Sequence, residues 1–342
     1  MLVQSLRLRI VWLPLCALLL AAAAIGLVAG QYPVSLSEVM ASLLRGVGFG
    51  PHPEHDVTML DAVVWDIRLP RVLAAALVGA SLAVAGATYQ GLFRNPLVSP
   101  DILGVSAGAG LGATAGLFLG FSVAAVQLAS FVGGLAAVAC VYFISMSIRR
   151  HDTTLVLVLA GVAVGTFLGA GISLLKVLAD PYTQLPSITF WLLGGLSTIT
   201  LRDTAFIFPC LIVGMSPLLL LRWKVNVLTL NDEEARALGI NTTSARVVFI
   251  ISATLLSSAA VAFTGIIAWV GLVIPHVARL LVGPDFSRLL PASALVGAIF
   301  LILTDTLSRS AVSIELPLGV LTALVGAPFF LLLLARSGRQ ST

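Results

Sequence analysis

Nine long stretches of the sequence contain no charged residue, and they constrain the fold more than any other feature. The hydrocarbon core of a bilayer is about 30 Å thick, and a helix of about 20 mainly apolar residues crosses it. Charged residues make up 10% of the chain, against about 25% in soluble domains. The sequence therefore predicts an all-α polytopic membrane protein and excludes a water-soluble one. The uncharged stretches are 10–37, 72–93, 102–148, 153–175, 181–201, 204–221, 247–278, 289–304 and 316–335.

The lengths of these stretches predict about ten transmembrane helices. The stretch 102–148 is long enough for two spans, and 247–278 is long enough for one span and a short or re-entrant piece. The stretch 181–201 contains two prolines and several polar residues, which favours a helix at the membrane interface. We expect residues 1–342 to form a single transmembrane domain.

The basic residues predict which side of the membrane each loop faces. With ten spans and both termini in the cytoplasm, the inner segments hold 13 Lys and Arg residues and the outer segments hold six. Cytoplasmic loops carry an excess of Lys and Arg, so this orientation is expected. It places the loop 31–64 outside and the loop 223–246 inside.

Cysteine and histidine spacing supports neither a disulfide framework nor a zinc site. His52 and His55, in the outer loop, are either solvated residues or a relay for a metal or haem. His276 is either a packed core residue or a ligand. The three cysteines stand singly in apolar runs, at Cys16, Cys140 and Cys210.

Glycine recurs every four residues in two of the expected helices. Small residues at this spacing share a helix face and allow close packing in a membrane. The structural interpretation is therefore close helix packing. The functional interpretation is a wide, backbone-lined pathway for a large solute, and both interpretations can hold together. The glycines are Gly104, Gly108, Gly112, Gly116 and Gly120 in one helix, and Gly161, Gly165 and Gly169 in the other.

Two segments with glycine and proline interrupt the apolar stretches. Residues 91–100 and 265–276 occupy corresponding places in the two halves of the chain, which suggests an inverted repeat. The first leads into the turn 94–101, where Asn-Pro and Ser-Pro favour turn initiation. Asp101 stands there at the position of a helix N-cap.

The inner loop 223–246 contains the signal for a short helix. The acidic residues 232–234 fit its first turn, and Gly239 fits a stop after it. Such a helix either fits a groove on a partner protein or is a solvated connector.

Charged residues near the outer ends of spans are candidates for partner binding. Arg68 and Arg71 are three residues apart and share a helix face, and Arg309 ends the ninth span. Guanidinium groups at a membrane rim suit the carboxylates of a docking protein, and interfacial anchoring is the alternative. Lys176 and Asp305 also lie near outer ends, where snorkelling would keep their charges in water.

Two enzymatic activities, ATP hydrolysis and serine hydrolysis, can be assessed from sequence motifs. Neither Lys176 nor Lys224, the two lysines, follows a glycine, so the chain has no Walker loop. ATP hydrolysis would therefore need another subunit. The run GVSAG at 104–108 matches the nucleophile-elbow pattern, so an intramembrane serine hydrolase using Ser106 and His276 is an alternative of a different class. An elbow needs a strand-to-helix turn, which an apolar span does not provide.

Six short motifs occur along the chain in this order: RLPR (68–71), FRNPL (93–97), LGVSAG (103–108), GLVIPH (271–276), ELPLGV (315–320) and GAPFF (326–330). With these motifs the chain resembles the FecCD family, the permease subunits of type II ABC importers for iron chelates, haem and vitamin B12. The resemblance covers about residues 8–336. It implies a fold like the vitamin B12 importer permease, with ten helices per chain, in a homodimer or pseudo-dimer in a bacterial inner membrane.

The resemblance also implies partners and their contact residues. A periplasmic binding protein would dock on Arg68, Arg71 and Arg309. Two cytoplasmic ATPase subunits, which use ATP and Mg, would each receive a coupling helix within residues 228–241. The permease itself would bind no cofactor or metal. The coupling residues are Asp232, Glu233, Glu234, Ala235, Arg236, Leu238 and Gly239.

The resemblance further implies a pathway that opens to each side in turn. Asn95 with Leu97, and Thr153 with Thr154, would narrow its cytoplasmic end. The glycines at 161, 165 and 169 would face the pathway or the partner chain. The sequence of residues 95–104 looks most like that of siderophore permeases, so a ferric siderophore is the expected substrate. Haem is the next alternative, and vitamin B12 or another metal chelate follows.

Overall fold

The computed structural model describes residues 2–49, 57–148 and 153–337, and each regular element within them is a helix. A π-helix (Val63–Arg68) continues into α4, and a 3-10 helix (Pro100–Leu103) precedes α5. The α-helices are α1 (Leu2–Val28), α2 (Leu36–Gly46), α3 (Val57–Ala62), α4 (Leu69–Leu92), α5 (Val105–Phe118), α6 (Val123–Ser147), α7 (Thr153–Leu178), α8 (Gln184–Leu193), α9 (Leu201–Leu220), α10 (Arg222–Leu228), α11 (Asp232–Ala237), α12 (Thr242–Thr264), α13 (Val270–Val282), α14 (Phe286–Ser310) and α15 (Leu318–Ser337).

Seven segments of the described chain are long and apolar enough to cross a membrane, and three shorter apolar helices accompany them. Together they agree with the predicted number of about ten. The seven are Val11–Val28, Met59–Leu92, Val123–Ser147, Leu155–Leu178, Leu201–Leu220, Thr242–Thr264 and Phe286–Ser310. The three shorter ones are Val105–Phe118, Val270–Val282 and Leu318–Leu332.

The stretch 102–148 forms two apolar helices, α5 and α6, which differ in length. α5 has only 14 residues, about 21 Å at 1.5 Å per residue, whereas α6 has 25 residues. The stretch 247–278 forms one span and a short helix, α12 and α13, as predicted. The stretch 181–201 holds the ten-residue α8.

α4 lies at the centre of the helix packing, against α14, α13, α12 and α9. Glycines allow its backbone to approach two neighbours. A Cβ atom at Gly79 would overlap the carbonyl of Gly297 on α14, and one at Gly86 would overlap the carbonyl of Gly271 on α13. Close backbone approach of this kind favours helix association in membranes. We did not identify these pairs from the sequence, because their members lie far apart along the chain.

The outer loop 31–64 is more structured than its polar sequence suggested. The described part contains α2 and α3, and the π-helix begins at its end. Val34, Val39 and Val64 form a small separate core. Arg45 pairs with Asp61 at 2.8 Å across the two segments. His52 and His55 lie outside the described residues.

Candidate docking, gating and coupling sites

Arg68 caps the C-terminal end of α1. The last four carbonyl groups of a helix have no partner within it, and α1 ends at Val28. The Arg68 guanidinium donates hydrogen bonds to the carbonyl oxygens of Leu27 at 2.8 Å and Val28 at 2.7 Å. It also donates to the carbonyl of Tyr32, beyond the helix.

Arg309 completes this cap from α14. Its guanidinium donates to the carbonyl oxygen of Ala29 at 2.6 Å and to that of Gly26. A cation at the C-terminal end of a helix also interacts favourably with the helix dipole. Arg68 and Arg309 therefore tie the end of α1 to α4 and α14.

Arg71 forms a buried ion pair with two carboxylates. It donates to Asp305 at 2.7 Å and to Glu315 at 3.1 Å, and Arg309 also contacts Asp305 at 3.3 Å. The Asp305 side chain is 1% exposed, whereas that of Glu315 is 34% exposed. Buried charges are costly unless they are paired, and Asp305 supplies this compensation. We call Arg68, Arg71, Asp305, Arg309 and Glu315 the outer cluster.

The three arginines that are predicted to meet a docking protein are buried within this chain. Arg68, Arg71 and Arg309 are only 2%, 4% and 8% exposed, because their donors are used within the protein. Asp305 does not snorkel either, since it lies between two arginines. Sequence reasoning missed Glu315 as their partner, although its place in the ELPLGV motif was visible. A docking role for the arginines stays a prediction.

The inner turn, residues 93–98, follows α4 directly. Arg94 has a positive φ of 50°, which non-glycine residues seldom adopt and which ends the helix. The Asn95 backbone N–H donates to the Gln90 carbonyl at 3.1 Å, and the Asn95 side-chain oxygen accepts from the Leu97 N–H at 2.9 Å. Asn95 thus fixes the turn, and Leu97 is exposed at its tip.

The other half of the predicted gate falls at the edge of the described residues. α7 begins at Thr153, but the side chains of Thr153 and Thr154 lie outside the described part. The narrowing of the pathway by these threonines and the inner turn stays a prediction.

The helix predicted in the inner loop is present as α11. Asn231 and Glu234 form a reciprocal capping box at its start, which satisfies backbone donors that the first turn leaves free. Gly239 has a φ of +79° and ends the segment, as predicted. Ala235 is buried, whereas Leu238 is 63% exposed, so α11 has one packed face and one free face. Glu233, Glu234, Arg236 and Gly239 are exposed as well.

Asp232, the first residue of α11, is held by two arginines. Arg246 of α12 donates to its two carboxylate oxygens at 2.7 and 3.1 Å. Arg94 donates to Asp232 at 3.1 Å and to the carbonyl of Leu228 at 3.2 Å. It also donates to the carbonyl of Leu230. The sequence did not predict this junction.

A second polar contact joins the loop to α14. The Asn226 amide donates to Asp285 at 2.6 Å, and the Asn226 oxygen accepts from the Phe286 N–H at 2.8 Å. Partial burial alone would raise the pKa of Asp285, but hydrogen bonds from the Ser287 backbone and Asn226 lower its pKa below the ordinary value. Asp285 therefore carries a negative charge at neutral pH at the start of α14, where an anion is favourable.

The two interrupted segments lie against each other. A Cβ atom at Gly271 would be 3.1 Å from Cδ of Pro100. Trp269, before α13, has a φ of 71° and stacks edge-on with Phe330 of α15, with centroids 6.2 Å apart. Gly326 leaves room for the indole. The breaks are thus packed junctions; an inverted repeat remains a prediction.

The glycine stripes differ in what they face. Gly108 and Gly112 approach the backbone of α6 too closely for a Cβ atom, which supports the packing interpretation. Gly161 faces the carbonyl of Ile102 in the same way. By contrast, a Cβ atom at Gly169 would meet nothing within 4 Å. That end of the α7 stripe therefore faces outward from this chain.

The geometry does not favour a serine hydrolase. Ser106 lies in the first turn of α5, after a helical segment rather than a strand. Its hydroxyl donates a hydrogen bond to Asp101. His276 lies half-buried on α13, and within the described part of the chain it forms no hydrogen bond with Ser106. Within the described residues no group of three or more metal-ligating side chains occurs.

A comparison with known families decides the class of protein. The FecCD transport family matches residues 18–336. The chain belongs to the FecCD transport family. The resemblance seen in the motifs is therefore confirmed, and this FecCD protein is the membrane-spanning permease of an ABC importer.

Curated relatives of this FecCD permease are named for different cargoes. It is 38% identical to the molybdate import permease MolB of Haemophilus influenzae, with 92% of each chain covered. It is 44% identical to the cobalamin import permease BtuC of Halobacterium salinarum, over 80% of this chain and 73% of that one. It is 39% identical to a Helicobacter pylori permease assigned to iron chelatin transport, over 92% and 95% of the two chains.

A solved structure supports the fold. It is an ABC transporter assigned to the metal-chelate type, in an inward-facing conformation. The two chains superpose with a TM-score of 0.84 at 37% identity, and 95% of this chain and 98% of that chain are covered. The all-helical permease fold predicted for this FecCD member is therefore confirmed.

Proposed function

We propose that this permease imports a metal chelate, first of all a ferric siderophore, by alternating access. A binding protein would deliver the chelate outside, and ATP hydrolysis in a partner subunit would open the pathway inward. The match to the FecCD family over residues 18–336 carries this proposal. The iron chelatin relative and the metal-chelate type structure favour a chelate as cargo. Haem, then vitamin B12, are the alternatives.

The proposed assembly contains two permease copies, two cytoplasmic ATPase subunits that use ATP and Mg, and a periplasmic binding protein. It lies in a bacterial inner membrane with both termini in the cytoplasm, because this orientation places most Lys and Arg residues inside. The open face around Gly169 on α7 suits the pathway or the second copy. Gly161 and Gly165 belong to the same stripe.

We place the docking of the binding protein at the outer cluster. Arg68, Arg71 and Arg309 hold the end of α1 and the segment before α15 in fixed positions. Glu315 is the accessible member. A partner carboxylate would reach Arg71 by displacing Glu315, which makes acidic residues on the binding protein the natural match.

We place ATPase coupling at the free face of α11 and the inner gate at Asn95 and Leu97 with Thr153 and Thr154. Leu238, directly after α11, projects an apolar side chain into solvent, where it could enter a groove on a partner protein. The inner turn lies beside α11 through the contacts of Arg94.

The substrate is tested with the full transporter in proteoliposomes. The permease, its ATPase and its binding protein are reconstituted, and uptake and ATP hydrolysis are measured with a ferric siderophore, haem, cobalamin and molybdate. We expect the ferric siderophore to stimulate both most strongly. Stimulation by molybdate alone would overturn the chelate assignment, and stimulation by haem or cobalamin alone would overturn the siderophore as substrate. ATP-independent uptake would overturn the importer mechanism.

A further inference from the structure

The inner end of α4 is a junction between separate parts of the molecule. Gln90, in its last turn, donates to the Leu272 carbonyl at 3.2 Å and accepts from Arg279 at 3.0 Å, both on α13. Four residues later, Arg94 contacts Leu228 and Asp232 of the inner loop 223–246. α4 therefore connects the most buried part of the helix packing with the loop on the surface.

Arg94 makes its contacts with three acceptors at once. Its guanidinium donates to the carbonyls of Leu228 and Leu230 and to the Asp232 carboxylate. These residues lead into α11 and start it. The planar guanidinium presents several donors in a fixed geometry, whereas a lysine ammonium is a point charge on a flexible stem. Arg94 thus fixes both the position and the direction of α11 relative to α4.

The backbone of Arg94 belongs to the inner turn. Its positive φ separates α4 from Asn95, and Asn95 holds Leu97 through its side chain. A displacement of the Arg94 side chain by α11 would therefore act on the residues directly before the exposed tip of the turn. No other residue of the inner turn contacts α11 in the hydrogen bonds of the described chain.

We propose that Arg94 is the positioning residue that transmits movement of α11 to the inner turn. The inference rests on the proposed function, because it assumes that the ATPase moves α11. Arg94 touches neither substrate nor nucleotide in this role. It acts by keeping α11, the inner turn and the end of α4 in one rigid unit, so that ATPase closure displaces all three together.

The test is the coupling ratio, the number of substrate molecules taken up per ATP hydrolysed, in the reconstituted transporter. We expect R94M to lower this ratio roughly 2- to 30-fold, the range for residues in a coupling network, while the ATPase still co-purifies. R94K keeps the positive charge but loses the planar set of guanidinium donors, so its coupling ratio should lie between those of R94M and the wild type. D232N should give the same defect, and R94M/D232N should be no worse than either variant alone.

The matched control is Arg288. The Arg288 side chain is 40% exposed, similar to the 36% of Arg94. Its carboxylate partner is Asp285, three residues earlier in the chain, at 4.0 Å. R288M should keep the wild-type ratio. A normal ratio in R94M, or loss of ATPase binding in R94M, would overturn the inference. L238D tests the proposed function separately, because it should abolish ATPase binding through the free face of α11.

Discussion

At the scale of single residues, Asp305 is the carboxylate on which the outer cluster depends. It is buried and contacts both Arg71 and Arg309. Removing one partner of a buried ion pair leaves an uncompensated charge, which costs about 3–5 kcal/mol. We therefore expect D305N to lower the free energy of unfolding by about that amount, measured by thermal or denaturant unfolding of the purified protein in detergent.

E315Q provides the comparison within the same cluster. Glu315 binds the same arginine but is one-third exposed, and partly exposed pairs contribute about 0–1 kcal/mol. The two variants should therefore differ clearly. Equal and small effects of D305N and E315Q would argue against the compensating role of Asp305.

The burial of the arginines could not be predicted from the sequence, and the reason is distance along the chain. Arg71 and Asp305 are 234 residues apart, and Arg309 meets Ala29 across 280 residues. The apolar runs predict that helices exist, but they do not predict which helix ends meet. The inner helix α11 was predicted because its acidic first turn and its terminal glycine are local signals.

At the scale of elements, the glycine stripe on α7 is packed against the chain at one end and open at the other. A Cβ atom at Gly161 would meet the carbonyl of Ile102, whereas one at Gly169 has no neighbour. We expect G161A to destabilise the protein by about 1–3 kcal/mol. G169A should be neutral or stabilising by up to about 1 kcal/mol, because alanine favours a helix over glycine.

Transport assays on the same two variants distinguish the roles of that stripe. If Gly169 faces the pathway or the second copy, G169A should reduce uptake while thermal stability is kept. Normal uptake in G169A would assign this position to lipid contact instead. The spacing of the glycines predicted a shared face, but only the structure shows that its two ends have different neighbours.

Helix lengths were less predictable than helix existence. The run 102–148 has no charge to mark where a helix ends, and the 3-10 helix before α5 has no signal in hydropathy. In the outer loop, α2 begins with a capping box of Ser35 and Glu38. This is a local sequence signal for a helix, but the polar composition of the loop does not indicate one. Glycine pairs between helices, such as Gly79 with Gly297, have no periodicity to reveal them.

At the scale of the whole molecule, the orientation can be tested with single cysteines. Tyr182 is 88% exposed between α7 and α8, and Leu238 is exposed after α11. In a variant without native cysteines, Y182C should react with a membrane-impermeant maleimide from outside, and L238C only after permeabilisation. The reverse pattern would place both termini outside and overturn the proposed location of the ATPase.

The cap at the end of α1 has a consequence for biosynthesis. The carbonyl groups of Gly26 and Ala29 are bound by an arginine that is translated about 280 residues later. At roughly 5–20 residues per second, that residue follows after about 15–60 s. Until α14 has been inserted, the end of α1 lacks Arg309, one of the two arginines that bind its carbonyl groups. The C-terminal part of the nascent chain, which contains α14, therefore determines when the first helix reaches its final position.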